Sequence, residues 1–171
     1  MGEIGEGVRE HMELIPPPRG PVFYGEYDLT IDDKNRLLVP SEIRKAFKPE
    51  RDGIAFVVTI GINDVPWLYP ANYYEELAQQ APASVTPANA QLRYDRLNFA
   101  RASRIEWDKQ GRLLMPDRTI KRTKTQRQVT LIGVRDHLEM WNRDAWELQC
   151  QLLEKERVEI AEEAKRARLG L

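Results

Sequence analysis

The amino-acid sequence predicts an α+β fold that contains two tandem copies of one unit and ends in a long helix. The segment Asp32 to Ser41 aligns with Asp108 to Asp117 at a constant offset of 76 residues. A second block aligns at an offset of 72, and its matched positions are Ile60 with Ile132, Gly61 with Gly133, Asp64 with Asp136, Tyr69 with Trp141, Tyr74 with Trp146 and Glu75 with Glu147. Two blocks that repeat in the same order indicate an internally duplicated fold.

The first unit is expected to begin with two strands and a short helix. Phe23 to Ile31 alternates as a strand does, and Asp32 to Asn35 supplies residues that favour a turn. Arg36 to Val39 is the second predicted strand, which Pro40 ends. Ser41 is expected to cap a helix that runs through Phe47, because its hydroxyl can accept a hydrogen bond from an unpaired backbone N–H.

A hairpin and a helix are expected to complete the first unit. Ile54 to Ile60 is apolar throughout, as in a strand that is buried on both faces. Trp67 to Tyr69 is its predicted partner across the loop from Gly61 to Pro66. A helix is then expected from about Asn72 to Gln80.

The two units are joined by a connector that contains proline and alanine, Ala81 to Ala90. Within it, Thr86 followed by Pro87 is a typical N-cap and first-turn pair for a helix that runs to about Ser103. Three consecutive prolines near residue 17 favour an extended segment at the start of the chain. The predicted organisation is an N-terminal tail (1–20), a first repeat (21–85), a second repeat (86–150) and a C-terminal helical extension (151–171).

The chain after Asp144 is predicted to form one long helix to about Arg168. Its apolar residues are spaced so that they lie roughly along one side, and they are Trp146, Cys150, Leu153, Ile160 and Ala164. The rest of the helix carries charges of both signs. This pattern favours packing against the body or a neighbouring subunit over contact with DNA.

Charge is segregated along the chain although the formal net charge is only −1. Residues 93–128 hold eleven Lys and Arg against four Asp and Glu, so this stretch carries +7 and the remainder carries −8. Binding to DNA phosphates requires a locally positive surface and not a basic protein as a whole. The pattern is compatible with a DNA partner and, equally, with a solvated helix face.

Several classes of protein are disfavoured by composition. The single cysteine, Cys150, excludes a disulfide within the chain and a multi-cysteine metal site, and it is expected to be a small buried residue on a helix. Neither His11 nor His137 has the spacing of a metal ligand. The longest apolar runs are far shorter than the roughly 20 residues of a membrane span, and the N-terminus does not resemble a secretory signal. We expect a cytoplasmic protein without a cofactor or a membrane partner.

Nothing in the sequence indicates catalysis. Adjacent carboxylates such as Asp32 and Asp33, or Glu75 and Glu76, point in different directions in a strand or helix. No nucleophile–base pair and no glycine-rich phosphate loop is visible. The chain is therefore predicted to be non-enzymatic and to have no small-molecule substrate.

The repeated turn Asp-x-x-(Gly or Asn)-Arg is the strongest functional candidate. Its fourth residue, Asn35 or Gly111, must accept a left-handed backbone, and Asp32 and Asp108 are expected to stiffen the two loops by hydrogen bonds to their own turns. The guanidinium group of arginine is suited to forming paired hydrogen bonds with guanine or with a phosphate. The alternative is an Asp–Arg pair that merely closes each turn. The candidate DNA contacts are Lys34, Asn35, Arg36, Lys109, Gln110, Gly111 and Arg112.

Taken together, these segments resemble the MraZ family. The resemblance covers about residues 22–150 and rests on Phe23-Tyr24-Gly25, Asp32 to Pro40 with Arg44, Leu68-Tyr69-Pro70, Asp108 to Arg112 and Leu138-Glu139-Met140-Trp141. It implies a pair of AbrB-like swapped-hairpin units with a β-barrel-like core. It also implies a nucleoid-associated regulator that forms ring-like homo-oligomers and binds short direct repeats in double-stranded promoter DNA of the cell-division and cell-wall gene cluster.

By this resemblance Arg36 and Arg112 carry DNA contact, with Lys34, Lys109 and Gln110 beside them. The first loop departs from the family pattern, because Asn35 stands where the pattern has glycine. A protein-interaction scaffold or antitoxin-like module that uses the same fold without sequence-specific DNA binding is the alternative.

Overall fold

The computed structural model describes residues 20–80 and 88–170. The strands are β1 (Glu26–Thr30), β2 (Arg36–Leu38), β3 (Ala55–Ile60), β4 (Pro66–Pro70), β5 (Ser103–Glu106), β6 (Arg112–Leu114), β7 (Gln128–Val134) and β8 (His137–Asn142). The helices are α1 (Ser41–Ala46), α2 (Pro49–Asp52), α3 (Ala71–Gln80), α4 (Asn89–Phe99), α5 (Asp117–Thr123), α6 (Arg143–Lys155) and α7 (Arg157–Leu169), and a 3-10 turn spans Ile62–Asp64.

The two units exchange strands within one antiparallel sheet of order β1-β7-β8-β4-β3-β5. Strand β1 of the first unit pairs with β7 of the second, and β5 of the second unit pairs with β3 of the first. The two hairpins meet where β4 pairs with β8. This exchange confirms the duplicated, swapped α+β architecture. The sheet is open, with β1 and β5 as its edges, so the core is not a closed barrel.

A small ribbon covers one face of this sheet. Strands β2 and β6 pair with each other in antiparallel register, one from each unit. Leu37 and Leu113 point inward from the ribbon and are fully buried. They meet a core of alternate residues from the large sheet, which includes Phe56, Val58, Leu68, Leu131, Leu138 and Met140. Burial of these side chains, at about 1.5–3 kcal/mol each, holds the ribbon against the sheet.

The opposite, outer face of the sheet is covered by helices. Helix α3 packs on β3 and β4, and α6 packs on β7 and β8. Strand β3 is therefore buried on both faces: Phe56 and Val58 join the core, while Ala55 and Val57 lie in a second cluster with Ala71.

Several predicted boundaries differ from the structure. Ser41 is the first helical residue and not the cap, because Pro40 occupies that position and provides no side-chain hydrogen bond. Helix α4 ends at Phe99, since the chain must extend from Ser103 to pair with β3. The predicted Thr86–Pro87 cap lies outside the described residues.

The C-terminal helix is not continuous. A break at Glu156, with φ −100° and ψ 7°, separates α6 from α7. Every residue from Gln151 to Gly170 is exposed, so only the first half of α6 packs on the body. Cys150, which we expected to be buried, is partly exposed at the end of that contact. Within residues 20–80 and 88–170, no helix is long and apolar enough to span a bilayer.

Candidate nucleic-acid interface

The two Asp-x-x-(Gly or Asn)-Arg loops have the same internal hydrogen bonds. Asp32 Oδ1 accepts the backbone N–H groups of Lys34 and Arg36, both at 2.9 Å, and its Oδ2 accepts Arg36 Nε at 2.7 Å. Asp108 Oδ1 accepts the N–H groups of Gln110 (2.9 Å) and Arg112 (3.0 Å), and its Oδ2 accepts Arg112 Nε at 2.8 Å. Each carboxylate therefore fixes both its loop and the arginine that follows.

The fourth loop residue is left-handed in both repeats. Asn35 has φ 57° and Gly111 has φ 77°. Asparagine tolerates this region better than most residues that carry a Cβ. The Asn35 side chain has a definite place, because its Nδ2 donates to Asp117 Oδ1 at 2.6 Å. The backbone of the first loop thus matches that of the second without glycine.

Each loop lies against the helix start of the opposite unit. The backbone N–H of Met115 donates to Asn35 O at 2.9 Å, and that of Val39 donates to Gly111 O at 3.0 Å. A Cβ added at Gly111 would lie 2.9 Å from Arg44 Cδ, so Arg44 packs directly on this loop. The antiparallel pairing of β2 with β6 produces this crossing, because each strand begins where the other ends.

The outward face of the ribbon carries arginine and leucine side chains from both units. Arg36 stands opposite Leu114, and Leu38 stands opposite Arg112. Leu38 and Leu114 are 52% and 58% exposed. The two arginines are partly exposed, so the structure brings Arg36 and Arg112 to one surface.

The loop carboxylates are ionised at neutral pH. The backbone N–H of Arg36, assisted by its side chain, lowers the pKa of Asp32, and the Arg112 side chain lowers the pKa of Asp108 to about 2. Each arginine charge is therefore offset by a neighbouring carboxylate. Among the described residues, Nη1 and Nη2 of Arg36 and Nη1 of Arg112 have no hydrogen-bond partner, so these edges are available to a ligand.

A helix that the sequence did not single out, α5, carries exposed positive charge and begins beside the first loop, where Asp117 accepts a hydrogen bond from Asn35. Residues 32–36 contain two acids and two bases, whereas residues 117–124 of α5 and its C-terminus contain one acid and four bases. All four of those bases are exposed: Arg118, Lys121, Arg122 and Lys124. They belong to the basic stretch 93–128 and follow directly after the second loop. This position in the sequence is the signal that could have identified them as candidate DNA contacts.

The remaining predicted side chains are exposed at the loops. Lys34, Lys109 and Gln110 are all exposed. Asp33, beside Lys34, forms an ion pair with Arg127. Within the part of the chain that the structure describes, no group of three His, Cys, Asp or Glu side chains is arranged to hold a metal ion.

Comparison with known proteins gives one family. The model of the family described as "MraZ protein, putative antitoxin-like" matches residues 22–94 and 98–169, one match for each repeat. The transcriptional regulator MraZ of Moorella thermoacetica is 34% identical over 131 residues, which cover 76% of this chain and 87% of that protein. The transcriptional regulator MraZ of Thermomicrobium roseum is 32% identical over 142 residues, which cover 82% of this chain and 96% of that protein.

These relatives are named as regulators of transcription and not as enzymes, which agrees with the prediction of a non-enzymatic protein. The matches span both repeats and nearly the whole length of the relatives. On this evidence the chain belongs to the MraZ family.

Proposed function

We propose that this protein is a transcriptional regulator that binds double-stranded DNA through its two loops. The observation that carries the proposal is the pair of equivalent loops on one ribbon, with Arg36 and Arg112 on the same outward face. The names of its relatives supply the regulatory role. The target we propose is a set of short direct repeats in a promoter of the cell-division and cell-wall gene cluster.

The loops are suited to reading base edges because their arginines are held in advance. Asp32 pairs with Nε of Arg36, and Asp108 pairs with Nε and Nη2 of Arg112, which leaves both Nη groups of Arg36 and Nη1 of Arg112 for a ligand. A guanidinium presents planar donors that match guanine O6 and N7 or two phosphate oxygens. Orientation before binding reduces the side-chain entropy that the complex would otherwise lose.

Phosphate contacts in this proposal come from the exposed cations around the ribbon. Lys34 and Lys109 lie in the loops, and Arg118, Lys121 and Arg122 lie on α5. Their charges supply attraction that does not depend on sequence, whereas the loop arginines supply discrimination between bases.

We further propose that several copies assemble into a closed homo-oligomeric ring. One loop pair spans few bases, and linked copies gain affinity through avidity. The exposed part of the C-terminal helices supports subunit contact, because Leu152, Leu153 and Val158 are exposed there. Such an assembly acts in the cytoplasm, on the nucleoid.

The test is a binding isotherm with DNA taken from upstream of the protein's own gene and with a scrambled duplex. Arg36→Ala and Arg112→Ala are each expected to lose about 1–3 kcal/mol of specific binding, roughly 5- to 150-fold. Arg96→Ala, at an exposed position of α4, is the matched control and should bind as the wild type does. Circular dichroism checks that all variants are folded. Wild-type affinity in both loop variants would favour the scaffold alternative.

A further inference from the structure

The outer face of the sheet holds two grooves that are equivalent by the internal repeat. The first groove, about 530 Å³, lies between α3 and the hairpin of the first unit. The second groove, about 690 Å³, lies between α6 and the hairpin of the second unit. Their walls correspond at the offset of 72, with Gly61, Tyr69, Tyr74 and Leu77 in the first groove and Gly133, Trp141, Trp146 and Gln149 in the second.

The first groove has a wall that the second does not share. Helix α4 lines it with Tyr94, Leu97 and Phe99. This helix directly precedes β5, the strand that the second unit contributes to the first. Among the described residues, no helix stands in the corresponding position over the second groove, whose lining comes from β1, the two hairpins, the 3-10 turn and α6.

We propose that residues 1–19 of this chain dock in the second groove. The internal repeat identifies the occupant. Helix α4, which directly precedes the strand β5 of the second unit, covers the groove of the first unit. By the same relation, the segment that precedes β1 of the first unit would cover the groove of the second unit. The family match begins at residue 22, so this docking would be a property of the N-terminal extension of this chain and not of the shared repeats.

The path of the chain into the described structure supports this occupant. Gly25 and Glu26 themselves line the second groove. Gly20 lies against the ring of Tyr73, which stacks on Tyr69 at 6.4 Å, and Tyr69 lies 6.4 Å from Trp67 in the groove wall. An extended chain spans about 3.3 Å per residue. About four residues before Gly20 therefore cover this distance, and residues 1–15 remain to fill the groove.

The composition of this segment fits an apolar groove. Ile4, Val8, Met12 and Ile15 recur at intervals of four, four and three residues, the spacing of one helix face. Three of the four tryptophans of the chain, Trp67, Trp141 and Trp146, line the second groove.

The reactivity of the single cysteine can be used to measure whether the segment is docked. Cys150 is the single cysteine and lies on α6 between the groove-lining residues Gln149 and Leu153. Burial and the carboxylate of Glu26, a residue that lines the groove, raise the pKa of its thiol. A segment docked in the groove would slow the reaction of this thiol with a bulky maleimide.

The experiment compares full-length variants that add the same charge on different faces of the segment. The double variant Val8→Asp with Met12→Asp places charge on the apolar face, and Gly5→Asp with Gly7→Asp is the control. If the segment is docked about 90% of the time, the first variant should react about tenfold faster than the wild type. The control should react as the wild type does. Tryptophan emission should shift to longer wavelength in the first variant only.

Two outcomes would overturn the proposal. One is an equal maleimide rate and an equal emission maximum in both double variants and the wild type. The other is a rate that falls as protein concentration rises and is the same in all three proteins, because a second copy would then cover the groove. Neither outcome depends on DNA binding, so the test stands apart from the proposed function.

Discussion

At the scale of single residues, the loop backbone is fixed by contacts that reach across the two units. Asn35 and Gly111 are both left-handed, but Asn35 bonds to Asp117 while Gly111 accepts the side chain of Arg44 where a Cβ would otherwise lie. The two positions therefore have the same backbone conformation but differ in which side chains they can accommodate. Substitution should affect them differently.

Replacing Gly111 by valine should destabilise the protein. A β-branched residue is strained at φ 77°, and its side chain would displace Arg44. We expect the free energy of unfolding to fall by about 1–3 kcal/mol, measured by urea denaturation. Asn35→Gly is the matched variant and should change it by less than about 1 kcal/mol, because its lost hydrogen bond is exposed. Equal stability of Gly111→Val and the wild type would contradict the packing of Arg44 on this loop.

His137 should make the stability depend on pH. It is buried against the rings of Trp67 and Tyr69, with Nδ1 2.8 Å from Asp136 Oδ1 and Nε2 3.4 Å from Glu139 Oε1. Burial lowers the pKa of His137, but hydrogen bonds to Glu139 and Asp136 outweigh burial and leave the pKa raised. A raised pKa in the folded state stabilises the protein below the unfolded value near 6.5.

The contribution of His137 is lost as the pH rises through its folded pKa. Urea unfolding should therefore give a higher free energy at pH 6 than at pH 8, and His137→Gln should flatten this difference. An unchanged pH dependence in that variant would show that another group is responsible.

At the scale of elements, the sequence predicted the hairpin of β3 with β4, which the structure confirms, but it did not predict which strands pair across the two units. The alternation in β1 and the apolar run of β3 indicated their type correctly, because side-chain periodicity reports which faces are buried. It does not report the partner across the ladder, and so the exchange of β1 and β5 rested on the family resemblance. The packing of each loop on the opposite helix was not predicted for the same reason. The break between α6 and α7 at Glu156 was not predicted, because the helical spacing of apolar residues continues on both sides of it.

Helix α5 should set the salt dependence of DNA binding. Each phosphate contact that is removed reduces the slope of log affinity against log salt by about one. The double variant Lys121→Ala with Arg122→Ala should therefore flatten the slope by up to about two units. Arg93→Ala with Arg96→Ala removes the same charge from exposed positions of α4 and serves as the control. If the two variants have equal slopes, α5 does not face the DNA.

At the scale of the whole molecule, the exchanged strands make the two repeats interdependent. The second unit completes the sheet of the first through β5, and the first unit completes that of the second through β1. The ribbon also needs one strand from each. Neither repeat can bury its apolar face without the other.

Fragments that correspond to the separate repeats should not fold alone. Residues 21–85 and 86–150, produced separately, are expected to show little ordered structure by circular dichroism and to regain it when mixed. The intact chain should unfold in one transition, with tryptophan emission and circular dichroism coincident. A cooperative transition in either fragment by itself would contradict this dependence.

The sequence difference between the two loops breaks the twofold symmetry of the ribbon surface. A perfect twofold arrangement would present the same side chains whichever way a duplex ran beneath it, and such symmetry matches a palindrome. Here the ribbon keeps the symmetry in its backbone, but Asp33 and Lys34 stand on one side where Lys109 and Gln110 stand on the other. Under the proposed function, a DNA duplex that contacts both loops would contact different side chains at its two ends. Turning the duplex around would therefore change the contacts. The chain would then read polarity along the strand, which is the property that separates a direct repeat from an inverted one.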